Sequence, residues 1–399
     1  MTTTRPDDDG VWVPLARARQ RTSVKWRTYP PDVLPVWVAE MDVDLPEPVA
    51  EAIVAAVRAG DLGYATGAGY AEAVAGFAVR RWGWDGLVPG RTAIVPDVML
   101  GVVEMLKLVT APGDTVVVNP PVYPPFYAFV RSMDRQVLEA PLTPGGRLDL
   151  DTLAAAFDRA RSGARSAAYL LCSPHNPTGT VHTADELAAV AALAAGHRVR
   201  VVVDEIHAPL TAPGVRFVPY LSVTGTDDGL AVLSGSKGWN LAGLKAALAV
   251  AGPAAAGDLA RLPEEVSHGV NHLGVIAHST AFRDGGDWLD TVRAAIDANR
   301  RLLVEQLAAH LPQVRYAPGQ ATYLAWLDCR ALGLGDDPAA VFRDRGRVAL
   351  SAGPDFGSGG AGHARLNLAA APQVVVAAVR RMAASLDPRR RQPRVPSRG

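Results

Sequence analysis

The sequence predicts an α/β fold built on a largely parallel sheet, and two observations carry that prediction. Four short runs, TVVVN (115–119), AAYLLC (167–172), VRVVVDE (199–205) and GLAVLSG (229–235), are apolar, rich in Val or Leu, and lack the alternation of a half-exposed strand. Helix-like segments lie between them, and strand, helix, strand at this spacing is the pattern of a parallel sheet.

The segment TADELAAVAALAAG opens with Thr183 as a cap and Glu186 three residues on, so a capping box is expected there, with the helix ending at Gly196. From Trp288 the pattern changes. Leu289, Val292, Ile296, Leu303 and Leu307 fall near one face of a helix long enough to join a large domain to a smaller C-terminal one. In that smaller part ATYLAWLDC and HARLNLAA read as antiparallel strands. The tail DPRRRQPRVPSRG, from residue 387, is basic and proline-rich and is expected to be disordered. There are no internal repeats.

Composition narrows the function classes. The 399 residues carry 40 basic and 40 acidic side chains, a net charge of zero, so neither nucleic acid nor an acidic membrane is the expected partner. A hydrophobic content of 49% suits a large buried core. Cys172 and Cys329 stand far apart in no metal-like spacing, which points to a reducing, cytoplasmic setting. The polar start MTTTRPDDDG has no signal-like core after it, and no stretch approaches the roughly 20 apolar residues of a membrane helix.

In a parallel α/β sheet ligands bind at the carboxyl ends of strands. Four strand ends run into chemistry: NPPVYPPF presents Tyr123, SPHNPTG presents Asn176, DEIH presents Asp204 and His207, and SGSK presents Ser234 and Lys237. Singly, each has a structural explanation: Asp204 as a helix cap, Asn176 as a turn residue, His207 as a satisfied buried imidazole. Together they suit one chemistry. A lysine in a dry pocket forms a Schiff base with an aldehyde, a buried aspartate pairs with a pyridinium nitrogen, and hydroxyls with helix N-terminal amides hold a phosphate. Those are the needs of pyridoxal 5'-phosphate.

At these residues the chain resembles the fold-type I pyridoxal-phosphate enzymes of the class I/II aminotransferase family. Within them it is most similar to the MalY/PatB group of cystathionine (cysteine-S-conjugate) β-lyases. The resemblance runs from RTSVKW (21–26) to RLNLAA (365–370). It is carried by DVLPVWVAEMD (32–42), LGYATG (62–67), NPPVYPPF (119–126), SPHNPTGTV (173–181), DEIHAPL (204–210), SKGWNLAGLK (236–245), GDWLD (286–290) and RLN (365–367).

The resemblance implies a mainly parallel seven-stranded sheet in a large domain, residues 46–284. A smaller α+β domain of residues 1–45 plus 285–399 would complete the chain. It implies that Lys237 carries the cofactor and moves protons, Asp204 pairs with the pyridine nitrogen, Asn176 bonds the ring oxygen, and Tyr123 stacks on the ring. His207, in DEIH, belongs to the cofactor site and marks the β-lyase group, where many aminotransferases have tyrosine. Ser234, Lys245 and the backbone at Val98 and Met99 would hold the phosphate. Tyr64 would reach the phosphate of a neighbouring subunit, hence a homodimer. Arg365 would clamp the substrate carboxylate, a bidentate task suited to guanidinium, with Ala39, Tyr64 and Asn176 also at the substrate.

The implied reaction is β-elimination of a cysteine S-conjugate to thiol, pyruvate and ammonia. The alternatives are an aminotransferase that needs a 2-oxo acid, and a binding protein that keeps the cofactor without turnover. Four positions depart from the group: Gly238 and Trp239 stand for Thr and Phe, Ser173 for Asn, and His182 for Trp. Trp239, two residues past the lysine, is expected to reshape the pocket. GSGGAG (357–362) is not expected to bind a dinucleotide, because no buried strand leads into it and no helix follows. His268, His272 and His278 lack a metal-site carboxylate, so no metal is expected.

Overall fold

The computed structural model describes residues 10–162 and 166–387; all of the basic tail but Asp387 lies outside them. The chain divides into two compact units. The larger comprises residues 45–294 and 319–322; the smaller comprises 1–44, 295–318 and 323–399.

The larger unit is organised by a seven-stranded sheet. Its strands are β1 (Thr92–Val95), β2 (Thr115–Val118), β3 (Gln136–Glu139), β4 (Ala167–Cys172), β5 (Arg200–Asp204), β6 (Leu230–Leu233) and β7 (Ala247–Ala251), in the order β1-β7-β6-β5-β4-β2-β3. The pairs β2/β3, β2/β4, β4/β5 and β5/β6 are parallel, whereas β7 runs against both β6 and β1. Six of the seven strands therefore point the same way. Helices α1 (Ala68–Trp82), α2 (Val98–Val109), α3 (Leu150–Arg161), α4 (Ala184–His197) and α5 (His272–Asp284) belong to this unit, and α6 (Gly286–His310) contains its boundary at Ala294.

The unbroken apolar runs of the strands have a physical cause. Successive side chains of a strand point to opposite faces. Val116, Val118, Ala168, Leu170 and Val202 join Val102, Met105 and Leu106 of α2 in one core. Their neighbours Val117, Tyr169, Leu171 and Val203 join Phe157 of α3 and Leu187 and Val190 of α4 in another. Both faces are covered, so neither alternate position can be polar. Each such large side chain contributes about 1.5–3 kcal/mol by leaving water.

The capping box forms as the sequence indicates: Thr183 N–H donates to Glu186 Oε2 (2.8 Å) and Glu186 N–H to Thr183 Oγ1 (3.2 Å). The far end differs. α4 runs past Gly196 to His197, and Arg198 takes the left-handed position at φ 54°. The Val199 N–H closes the helix on the Ala194 carbonyl (2.9 Å), and this closure outweighs the conformational preference of Gly196.

The smaller unit holds a three-stranded antiparallel sheet of β8 (Leu324–Asp328), β9 (Ser351–Ala352) and β10 (His363–Asn367), ordered β9-β10-β8. The expected apolar face of α6 is present, since Leu289, Val292, Ile296, Leu303 and Leu307 are all buried. The glycine-rich run 357–362 leads into β10, a strand. No helix among the described residues is long and apolar enough to cross a membrane.

Candidate functional site

The shared direction of β1, β2, β4, β5 and β6 brings their carboxyl ends to one edge of the sheet, and the residues singled out in the larger unit, Tyr64 aside, follow those ends. Asp204 is the last residue of β5 and is buried. Burial pushes its carboxyl up to about 6, against the Ile206 N–H, which donates to Oδ1 (3.0 Å), and the nearby Lys237 charge. A buried carboxylate raised this far favours a further cationic or N–H partner. Lys237 is half-buried on the turn that follows β6.

Beyond β4 the buried Asn176 sits in a turn closed by two backbone bonds, His175 N–H to Thr180 O and Gly179 N–H to His175 O, each 2.8 Å. His175 Nε2 donates to the Pro121 carbonyl (2.9 Å) and so ties this turn to the one after β2. There Tyr123 lies half-buried, its ring edge-on to Phe126 at 5.9 Å. His207 is buried and begins the short turn Ala208–Leu210.

The anion cradle starts where β1 ends. Asp97 caps α2, its Oδ1 accepting the Leu100 N–H (2.8 Å). The first-turn amides of Val98 and Met99 have no carbonyl behind them within the helix. Gly101 lets α2 lie close on β1, since a Cβ there would meet Val95 Cγ2 at 2.7 Å. Ser234 Oγ is 2.8 Å from Ser236 Oγ and donates to the Ala246 carbonyl (2.8 Å). Lys245 Nζ pairs with Asp97 Oδ2 at 2.8 Å. Helix amides, two hydroxyls and an ammonium make a donor set that fits a phosphate. With Asp204 for a ring nitrogen and Lys237 for an aldehyde, the residues fit pyridoxal phosphate.

Trp239 corrects an expectation. It is fully buried, packs on Phe282 (4.7 Å) and Phe77 (5.6 Å), and donates from Nε1 to the Gly285 carbonyl (2.9 Å). Its bulk therefore fills the core behind the turn and does not reshape the pocket. Of the three histidines without a carboxylate partner in sequence, His268 lies 3.5 Å from Glu264, His272 lies 3.1 Å from Asp61, and His278 is buried. Tyr64 is 84% exposed, its ring 5.6 Å from that of His268.

In the smaller unit Arg365 and Asn367 share one face of β10. Arg365 Nη2 donates to the Trp37 carbonyl and to Ser351 Oγ, both at 3.1 Å, and its guanidinium lies 5.1 Å from the Phe356 ring centre. Asn367 Nδ2 donates to the carbonyls of Val38 and Glu40, both at 2.7 Å, and so fixes the buried Ala39 from either side. Asn367 and Asp97 went unassigned in the sequence. The signals exist: Asn367 is two residues after Arg365 on a strand, and Asp97 directly precedes an apolar helical run.

The fold and this edge of the sheet define the fold-type I pyridoxal-phosphate class. The family model for aminotransferase class I and II matches residues 91–381, and the chain belongs to that family. A Mycobacterium tuberculosis protein named "Putative cystathionine beta-lyase" is 56% identical over 391 residues, covering 93% of this chain and 96% of that one. Cystathionine beta-lyase PatB of Bacillus subtilis is 33% identical, covering 89% and 93%. The crystal structure of cystalysin from Treponema denticola, which contains pyridoxal 5'-phosphate, superposes with a TM-score of 0.84 at 26% identity, covering 91% of this chain and 95% of that one.

Proposed function

We propose that the protein is a pyridoxal-phosphate-dependent C–S β-lyase, cleaving cystathionine or another cysteine S-conjugate to thiol, pyruvate and ammonia. One observation carries the reading: 56% identity across 93% of the chain to a relative named for this reaction. The buried Asp204, the Lys237 turn and the anion cradle support it chemically.

When bound, pyridoxal phosphate supplies an aldehyde that links to amines and a ring that accepts the electrons released as the α proton leaves. The chain's residues do the rest. Lys237, half-buried on the turn after β6, takes the proton from the substrate Cα at Nζ and returns it to the leaving sulfur. Asp204 holds a proton on the ring nitrogen, and its raised affinity for positive partners is set by burial. Asn176 bonds the ring oxygen, Tyr123 covers the ring, and His207 completes the wall. The Val98 and Met99 amides, Ser234 and Lys245 hold the phosphate. Arg365 is assigned the substrate carboxylate, beside the segment containing Ala39.

A homodimer in the cytoplasm completes the proposal. Tyr64 is assigned to the partner's phosphate, and the exposure of Tyr64, Leu62, Val54 and Val57 supports a covered surface there. The buried free thiols of Cys172 and Cys329 suit a reducing compartment.

The test is pyruvate release from L-cystathionine and a simple S-alkyl cysteine without added oxo acid, followed with the visible spectrum. Equal pyruvate and thiol, lost in Lys237→Ala, is expected. Turnover only with a 2-oxo acid would replace the lyase by an aminotransferase, and no cofactor band would overturn the reading.

A further inference from the structure

Against the Lys237 turn lies a buried polar cluster whose histidine and tyrosine have no part in the proposed chemistry. His278, on α5, is fully buried. Its Nδ1 accepts the Gly235 N–H (3.3 Å) and lies 3.3 Å from the Tyr70 hydroxyl and 3.4 Å from Ser234 Oγ. Tyr70, on α1, is buried as well.

The donor inventory fixes the ring's state. A backbone N–H can only donate, so Nδ1 carries no proton, and the neutral ring bears its proton on Nε2. The carbonyls of Leu244 and Leu241 face the ring and oppose the effect of burial, which still takes His278 down to about 4. A protonated Nδ1 would confront the Gly235 N–H, which has nothing to accept with. Gly235 precedes Lys237 by two residues, and Leu241 and Leu244 follow it by four and seven. One imidazole thus meets the lysine segment on both sides of the lysine. Contact is close: a Cβ on Gly235 would sit 3.4 Å from Nδ1.

We propose that His278 is the positioning residue of the lysine turn: through the Gly235 N–H it fixes the backbone that carries Ser234 and Lys237 in the form that captures the cofactor. The inference rests on the functional reading above. It predicts a role for an acceptor atom, and that separates it from a role in packing alone.

Asparagine places Oδ1 where Nδ1 stands, whereas leucine places a methyl there. With His278→Leu, affinity for pyridoxal phosphate should fall about tenfold or more, and the pH midpoint of the bound cofactor's visible absorption should move by roughly half a pH unit, as a buried amide loses its acceptor. His278→Asn should stay within about threefold of the unaltered protein and keep its midpoint. In the unaltered holoenzyme, nitrogen NMR of labelled histidine should find Nδ1 unprotonated and Nε2 protonated between about pH 6 and 9.

A leucine variant with unaltered affinity and midpoint overturns the proposal, as does an asparagine variant that falls as far as leucine. A proton on Nδ1 also overturns it, and this measurement needs no variant to fold. Failure of the functional reading looks different: the unaltered protein itself would take up no cofactor.

Discussion

Two lysine–aspartate systems in this molecule use the same groups to opposite ends. In the smaller unit Lys25 and Asp42 are 1% and 2% exposed, their charged atoms 2.8 Å apart, and the lysine also donates to the Glu40 carbonyl (3.2 Å). In the larger unit Lys237 is half-buried, and its charge only partly offsets the burial of Asp204, whose carboxyl stands at about 6. The first pair is closed and rigid. The second is less buried and its carboxyl keeps a raised proton affinity, as suits the amine proposed to move a proton and the acid proposed to face a ring nitrogen.

The sharpest way to break this contrast is to truncate each lysine. Lys237→Ala should reduce pyruvate release by about a thousandfold or more, since it removes the group proposed to move the proton, while the denaturation midpoint changes little. Lys25→Ala should do the reverse. An uncompensated buried Asp42 costs about 3–5 kcal/mol, read from urea denaturation, with kcat per folded molecule preserved. Equal loss of kcat in both would abolish the distinction between a closed and an open pair.

Much of the larger unit was legible because its physics is periodic. Apolar runs such as AAYLLC gave the strands, and chemistry placed just after them gave Asn176, Asp204 and Lys237. What stayed hidden depends on partners distant in sequence. Nothing near Trp239 tells that it turns into a pocket of Phe77 and Phe282, 162 residues before it and 43 after it. His278 read as one of three scattered histidines, because its acceptor role needs Gly235 and Tyr70 beside it. The Arg198 helix end eluded the glycine rule because a closing backbone bond decided the position.

Glu205 sharpens the comparison from the side of the acid. It adjoins Asp204, is buried, and its Oε1 accepts the Tyr220 N–H (2.7 Å). Burial, with the Asp204 charge adding to it, pushes its carboxyl up to about 8. The folded state therefore binds a proton that the unfolded state has released from about pH 4.5 upward, and stability falls as pH rises between these values. Glu205→Gln keeps an acceptor for the Tyr220 N–H and removes that titration. Its unfolding free energy, read from urea denaturation, should fall less between pH 5 and 8 than that of the unaltered protein, the gap growing to about a few kcal/mol, on the order of what such a shift supplies. Parallel curves would mean that Asp204 does not share its surroundings with a neutral acid.

The smallest expected effect lies at the exposed end of the site. Lys245 is 57% exposed where it pairs with Asp97, so this third lysine–aspartate contact contributes about 0–1 kcal/mol. Asp97→Asn retains the cap on the Leu100 N–H, because asparagine caps about as well as aspartate. What it removes is a negative charge beside the amides and ammonium proposed to hold the phosphate. Affinity for pyridoxal phosphate should rise about two- to fivefold, most at low salt, with the thermal midpoint of the cofactor-free protein almost unchanged. A fall in affinity would show that Asp97 serves chiefly to hold Lys245 in place. The pair would then belong with Lys25 and Asp42 among the closed contacts of the fold.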